Sequence, residues 1–370
     1  MEVSASKLSI SAVGDVSLGD HPVCAGIGMR SAFRKRGGSI LANVADKFRE
    51  SDLTVANLET VTSNKGLRPF WLPSYEMRGD PQSLTYLREA GIDIVGVANN
   101  HAMQHGEVAF QDMVEQARAA GMEVIGTEES EGRTKVFEIV HEDGLVSAIV
   151  SLSIRPEEWA ESSNGLPYSY RDGADELLNE IARLRREFSG FLICSLHWGL
   201  EFLDYPSPEQ VELGHKLIDK GVDVVFGHHS HVLQPVEQYG NGLIFYSLGN
   251  FVFDLWPEET RYTAIAHVDL KKGKVPQFQI TPVKINADYS LSIAVGSDAR
   301  TVEELLSWER FQAMGSKPES ESEYRGQYNS ARRKFRFSSY RYFLKNWYRY
   351  PPWFFAQALG RTAIRRLTGT

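Results

Sequence analysis

The segment Gly227-His228-His229-Ser230-His231 follows directly on the apolar run Val222-Asp223-Val224-Val225-Phe226. An apolar run of that length, closed by glycine, reads as a buried parallel strand. Such a strand belongs to a sheet covered by helices, so this one stretch points to an α/β architecture. The histidines then stand where the strand opens into a loop, which is where open α/β sheets bind their ligands. Three imidazoles in four positions are more than packing asks for, and imidazole is the commonest metal ligand near neutral pH. A His-x-His pair can aim both rings at one ion or at two adjacent ones. The segment is read as metal-binding, against the blander reading of surface or structural histidines.

The arrangement recurs. Leu8-Ser9-Ile10-Ser11-Ala12-Val13 alternates and stops at Gly14-Asp15. Leu53-Thr54-Val55-Ala56 ends at Asn57-Leu58-Glu59, Ile92 to Ala98 at Asn99-Asn100-His101, and Phe191 to Leu196 at His197-Trp198-Gly199. Helices are expected over about Ser39 to Glu50, from Pro81 to before Gly91, and over Asp175 to Phe188, Pro208 to Lys220 and Glu303 to Met314. Long β runs follow at Leu243 to Phe253 and Arg261 to Leu270. Repeated strand–helix–strand units imply a mostly parallel sheet. The strand-rich later part predicts a second sheet.

The polar residues at the strand ends are Asp15, Asn57 with Glu59, Asn100 with His101, His197, His229 with His231, and Asn250. One face of one sheet is expected to collect them. A set of carboxylates, an amide oxygen and imidazoles suits Mn²⁺, Fe, Zn²⁺ or Ni²⁺ better than Ca²⁺, which prefers oxygen alone. A carboxylate between the two halves of the set would bridge a pair of ions. Two metals roughly 3.5–4 Å apart stabilise the attacking and leaving oxygens of a displacement and acidify a bound water. Each residue also has a plainer reading. Asp15 is a turn or helix cap, Glu59 a cap partner, Asn100 a turn residue, His197 a packed core histidine, and Asn250 a bulge amide. His101 is either a loop histidine or a general acid or substrate contact. Glu201, four residues after His197, is either a surface acid or part of the site.

Composition narrows the class. The chain has 370 residues, 42% of them hydrophobic, enough for one large core or two. It has no run of eighteen apolar residues, hence no expected membrane-spanning helix. Its start, Met-Glu-Val-Ser-Ala-Ser-Lys, lacks a basic region followed by an apolar stretch, so no secretory signal is expected. Cys24 and Cys194 are far apart and exclude a disulfide framework or a cysteine-based zinc site. A reducing, cytoplasmic compartment is the simplest expectation, with peripheral placement on the inner membrane face as a variant of it. The net charge of −8 is unevenly spread. From Tyr324 onward there are eleven Lys and Arg and no acid, leaving 29 Lys and Arg against 48 Asp and Glu before it. A separate task for that tail is implied. The expected division is a domain over 1–315, a Ser/Glu-rich linker at 316–323 and a basic, aromatic tail over 324–370.

Gly14-Asp15-Val16-Ser17-Leu18, Ala56-Asn57-Leu58-Glu59, Ala98-Asn99-Asn100-His101, Ser195 to Glu201, Gly227 to Pro235, and Tyr246-Ser247-Leu248-Gly249-Asn250-Phe251 occur in this order. Together they resemble the capsule-biosynthesis CapA family, also called poly-γ-glutamate synthesis accessory proteins, over about residues 7–285. That family resembles the calcineurin-like metallophosphoesterases, and the resemblance implies a four-layer α/β/β/α sandwich with a two-metal centre at strand ends. It implies that Asp15 and His231 bind a first divalent ion, that Asn100, His197 and His229 bind a second, and that Glu59 bridges them. It implies that His101 protonates a leaving group or holds substrate, and that Asn250, Glu201 and Trp198 shape the pocket.

Two positions depart from the pattern. Ser17 stands where the superfamily has a histidine, which predicts a weaker first metal, with His21 as a conceivable substitute. Gln104 stands where the family usually has an aspartate; it can orient His101 without stabilising its charge. Two functions follow as expectations. One is a metal-dependent hydrolase acting on a phosphoester or amide-like bond in capsule, poly-γ-glutamate or cell-envelope polymer metabolism. The other is a non-catalytic accessory subunit that binds an anionic polymer or a membrane synthase. The tail reads as a helical cap that packs its aromatics on the body or pairs with its acidic charge, as a membrane-surface anchor, or as a nucleic-acid contact. Pro351-Pro352 predicts that it forms two short helical segments.

Overall fold

The computed structural model describes residues 6–129, 132–160 and 165–368. Met1 to Ala5, on which part of the leader expectation rests, lie outside the described residues. The first part of the chain runs β1 (Lys7–Val16), α1 (Met29–Arg36), α2 (Ala45–Phe48), β2 (Leu53–Leu58), α3 (Gln82–Ala90), β3 (Ile94–Gly96), α4 (Glu107–Ala119) and β4 (Glu123–Ile125). The middle runs β5 (Val136–Val140), β6 (Val146–Ser153), α5 (Ala174–Glu187), β7 (Leu192–His197), α6 (Pro208–Asp219) and β8 (Val224–His228). The last part runs β9 (Leu233–Tyr239), β10 (Gly242–Leu248), β11 (Asn250–Val252), β12 (Tyr262–Lys271), β13 (Gln277–Ile285), β14 (Leu291–Ile293), α7 (Ser297–Leu306), α8 (Trp308–Ala313), α9 (Glu321–Lys345) and α10 (Pro352–Thr368).

The strands form two sheets. One has the order β14-β13-β12-β1-β2-β3-β4, with β11 also paired to β1; the other has the order β5-β6-β7-β8-β10-β9. β1 to β4 are parallel, as are β6, β7, β8 and β10, and the antiparallel strands lie outside these parallel blocks. The expected second sheet is therefore not the strand-rich later part alone. It starts at β5, and the late strands are shared: β9 and β10 extend the second sheet while β12 to β14 extend the first. Each late run finds an unfilled edge, and local alternation carries no information about which edge that is.

Three apolar layers hold the sheets in register. Ile10, Val55 and Ile94 of the first sheet meet Ile149, Ile193 and Phe226 of the second in a buried central layer. Val13, Val95, Phe33, Leu84, Leu87 and Phe110 cover the outer face of the first sheet with α1, α3 and α4. Val150, Cys194, Leu177, Ile181, Leu213 and Leu217 cover the second with α5 and α6. This is a four-layer α/β/β/α sandwich. Each fully buried side chain of this size contributes roughly 1.5–3 kcal/mol, so the central layer firmly sets how the two rows of strand ends face each other.

The helix expected over Ser39 to Glu50 is only a 3₁₀ turn, Gly37–Ile40, and the single turn of α2. The Glu303 to Met314 helix is broken at Ser307, whose hydroxyl accepts the Arg310 N–H and caps α8. Residues 321–323, read as linker from their composition, already belong to α9. The prolines do separate two tail helices, with Pro352 in the first position of α10, but α9 is 25 residues long rather than short. Tyr324 of α9 is fully buried, and Tyr350 and Phe354 pack on Ala25 and Leu72.

Candidate metal centre

The expected residues come from the carboxyl ends of strands in both sheets, not from one face of one sheet. β1 is irregular between Ala12 and Asp15, and this brings Asp15 level with Asn57 on β2 and with Asn250 on β11. A bulge of this kind re-aims a side chain at the end of a ladder. Glu59 follows β2, Asn100 and His101 follow β3, His197 closes β7, and His229 and His231 follow β8. Gly14 and Gly227 let the backbones converge. A Cβ on Gly14 would sit 2.0 Å from the Gly249 carbonyl oxygen, and one on Gly227 would sit 2.1 Å from that of Tyr246. His229 and His231 have φ of 89° and 60°. Non-glycine residues in that region are strained and cluster at functional sites.

Two groups of ligand atoms converge. Glu59, His197 and His229 form one, Asp15, Glu59 and His231 the other, and within each the atoms lie within 4.8 Å of one another. All five residues are buried. Glu59 is common to both groups. Its Oε1 lies 3.6 Å from His231 Nε2 and 3.7 Å from His101 Nε2, yet neither carboxylate oxygen has a hydrogen-bond partner among the described residues. The rings of His197 and His229 are 4.8 Å apart, and His229 Nδ1 is likewise buried and unpartnered. Asn100 Oδ1 lies 2.9 Å from His197 Nε2.

Burial, with the Asp15 charge next to it, pushes the Glu59 carboxyl well above its usual range. Burial would raise Asp15 too, but contact with His228 and the charges of His228, His231 and His197 hold it well below the carboxylate range. Burial drives His197 and His229 far down, which keeps both imidazoles neutral. Neutral imidazole and ionised carboxylate are the forms that bind metal. Two adjacent buried carboxylates are costly without a cation, and the donors suit one or two divalent ions: Glu59 presents two unpartnered oxygens between two sets of nitrogen and oxygen ligands.

The other expected residues surround this core. Asn250 Oδ1 is 2.9 Å from His231 Nδ1, and its amide donates to the Thr260 carbonyl, so it orients His231 with Nε2 toward Glu59. Gln104 Oε1 is 2.9 Å from His101 Nδ1, which leaves His101 Nε2 facing Glu59. Burial lowers His101 to about 4, against the Gln104 hydrogen bond. Glu201 is half-buried in the loop after β7 and belongs to neither ligand group; its charge adds to what raises Glu59. The Ser17 hydroxyl donates to the Gly19 carbonyl. His21 is turned to Trp256 and Phe335, with Nδ1 accepting the Val23 N–H, and joins neither group. Trp198, expected at the pocket, instead stacks on Tyr246 under the outer helices. Neighbours along an extended chain point to opposite faces, so His197 turns in and Trp198 turns out.

His228, read with its neighbours as metal-binding, joins neither ligand group; its Nδ1 lies 3.1 Å from Asp15 Oδ1, and the Asn57 amide donates to the same oxygen at 2.8 Å. Sequence reasoning missed three further neighbours. Trp159 sets its ring 6.3 Å from His101. Phe202 sets its ring 6.0 Å from His231. Arg155 donates to the Gly199 carbonyl and, with Trp198, Gln210 and Tyr324, lines a cavity of about 350 Å³. None of these three carries a local sequence signal.

A model of the bacterial capsule synthesis protein family PGA_cap matches residues 9–255. The PGA biosynthesis protein CapA of Bacillus subtilis is 27% identical over 282 residues, covering 75% of this chain and 72% of that protein. A probable polyglutamine synthesis accessory protein of Mycobacterium tuberculosis is 27% identical over 269 residues, covering 67% and 68%. Among solved structures, the NAD nucleotidase of Haemophilus influenzae overlaps 92% of this chain at 13% identity and a TM-score of 0.48, with this chain spanning 61% of that one.

Proposed function

This chain belongs to the bacterial capsule synthesis protein family, and from that premise we propose that it is a metal-dependent hydrolase of a phosphoester or amide-like bond in capsule, poly-γ-glutamate or cell-envelope polymer metabolism. The observation that carries this reading is Glu59, whose two buried, unpartnered oxygens lie at the junction of the two ligand groups. Asp15, Glu59 and His231 would hold one divalent ion, and Glu59, Asn100, His197 and His229 the other. Bound ions would supply an acidified water and a positive field for charge developing on the substrate.

The chain's own residues supply orientation and proton handling. The Asn57 amide and the His229 backbone N–H hold the Asp15 carboxylate, with His228 Nδ1 3.1 Å from it, and Asn250 fixes the His231 ring. Outer partners of this kind commonly matter tenfold to a hundredfold for metal affinity or activity. His101, fixed by Gln104 at Nδ1, faces the centre with Nε2 and would pass a proton to the leaving group or hold the substrate there. Glu201 and Asn250 would frame the substrate. The names of the relatives, PGA biosynthesis and polyglutamine synthesis, favour a polymer as substrate and a polymer synthase as partner.

A second reading, an accessory subunit whose centre binds polymer without turnover, is favoured by Ser17, which leaves the Asp15 group without the imidazole of the superfamily pattern. Metal analysis of the purified protein, then assay of the metal-loaded form on a phosphodiester panel and γ-glutamyl peptides, separates the two. Turnover abolished by Glu59→Gln is expected. A fully loaded protein that cleaves nothing on either panel overturns the hydrolase reading in favour of the accessory one.

A further inference from the structure

We propose that the outward face of α9 is a docking surface for an anionic membrane surface. The helix is two-sided. Tyr324, Phe335, Tyr342 and Phe343 turn toward the body, where Phe335 stacks on Phe202, Tyr342 on Trp256 and Phe343 on Phe355 of α10. Phe337, Tyr340 and Leu344 lie on the opposite side, at the three- and four-residue spacings that line up on one helix face. They are 72%, 51% and 63% exposed, and Trp347 and Tyr348 continue the stripe beyond the helix end at 62% and 70%. Exposed apolar groups in this number on one side of one element mark a contact surface rather than scattered surface residues.

The flanking charges choose the occupant. Arg333, Lys334, Arg336, Arg341 and Lys345 are all exposed. The ion pair of this helix joins Arg325 to Glu321 at its acidic start, and those five cations have none among the described residues. No acid follows Glu323 in the chain. Tyrosine and tryptophan with interleaved arginine and lysine suit the headgroup level of a bilayer, where rings enter the interface and cations meet anionic lipid. Among the described residues no helix is long and apolar enough to cross a membrane, so the contact is peripheral. Side chains beyond Arg361, including the basic pair Arg365 and Arg366, lie outside the described residues. The face points away from the metal centre, so docking leaves the centre on the body side of the helix.

The test is co-sedimentation of the full chain with phosphatidylcholine vesicles, with and without phosphatidylglycerol, at low and high salt. Two triple variants serve as probes: Arg333→Gln/Arg336→Gln/Arg341→Gln, and Phe337→Ser/Tyr340→Ser/Leu344→Ser. All six side chains are exposed, so both variants should melt like the parent. The parent should sediment only with anionic vesicles and be released by salt. The arginine variant should partition about a hundredfold less at low salt, and the apolar variant should also lose binding. Chelation with EDTA should change nothing. Equal binding by parent and variants, binding indifferent to phosphatidylglycerol, or release by EDTA (headgroup phosphate held at the metal centre) overturns the proposal. Failure to bind any vesicle, with concentration-dependent self-association instead, overturns it in favour of a second copy as the occupant.

Discussion

Phe335 of α9 stacks on Phe202 with ring centroids 4.1 Å apart and 14° between the planes. Phe202 stands in turn 6.0 Å from the His231 ring, at φ 65°, a conformation that few bulky residues adopt. The tail helix thus buttresses a strained loop residue against one ligand candidate. Phe335→Ala should destabilise the protein by about 1–3 kcal/mol and weaken metal binding at the Asp15–His231 group. Urea unfolding and a Mn²⁺ titration measure the two effects. An unchanged metal affinity would reduce the contact to packing alone.

Metal binding itself should be visible as stability. An ion held only by the native state at a hundred times its dissociation constant adds about 2.7 kcal/mol. The melting temperature should rise on adding Mn²⁺ or Zn²⁺ and fall with chelator. His229→Ala should abolish the rise, because it removes one of the two imidazoles from the Glu59–His197–His229 group. Metal-free protein whose melting is indifferent to added ion would refute the centre.

The two groups should bind unequally. The Asp15 group has a single imidazole, and the Ser17 hydroxyl is engaged with the Gly19 carbonyl; the other group has two imidazoles and the nearby Asn100 amide. Titration calorimetry should resolve a tight step and a weaker one, and His231→Ala should remove the weaker step only. A single class of two equal sites would speak against this assignment.

His101→Ala should leave metal content unchanged while lowering turnover of any substrate found by at least about a hundredfold. Gln104→Ala should lower it less, since it only frees the ring. Loss of bound metal in His101→Ala would place the residue among the ligands instead.

Asp254 gives a pH signature away from the ligands. Burial, with Asp20 beside it, pushes its carboxyl up to about 8 from 3.8, against N–H bonds from His21 and Met29. The folded state therefore keeps a proton that the unfolded chain has lost. The stability this supplies is complete below about pH 4 and is lost as pH rises toward 8. Asp254→Asn should flatten that slope, read as the difference between parent and variant in urea unfolding across the window. A difference independent of pH would show that Asp254 is already ionised in the fold.

By itself the sequence determined the α/β alternation, most strand and helix positions, and the fact that Asp15, Glu59, Asn100, His197, His229 and His231 all follow apolar runs. These are local properties, because burial imposes a period of two or 3.6 on the chain and polar residues fall where a strand meets solvent. It also determined the charge split between body and tail. The tertiary structure decided the rest. It divided the late strands between two sheets, so that the centre is shared by both rather than collected on one. It set His228 against Asp15, Asn250 against His231 and Phe335 against Phe202, partners that lie 213, 19 and 133 positions apart in the chain. Hydrophobic periodicity says which face of an element is buried; it does not say against which other element, because that choice depends on how whole layers pack. For the same reason the aromatics of the tail were legible as a class, yet only the packed helix separates Phe335, turned to the body, from Phe337, two residues on, turned to solvent.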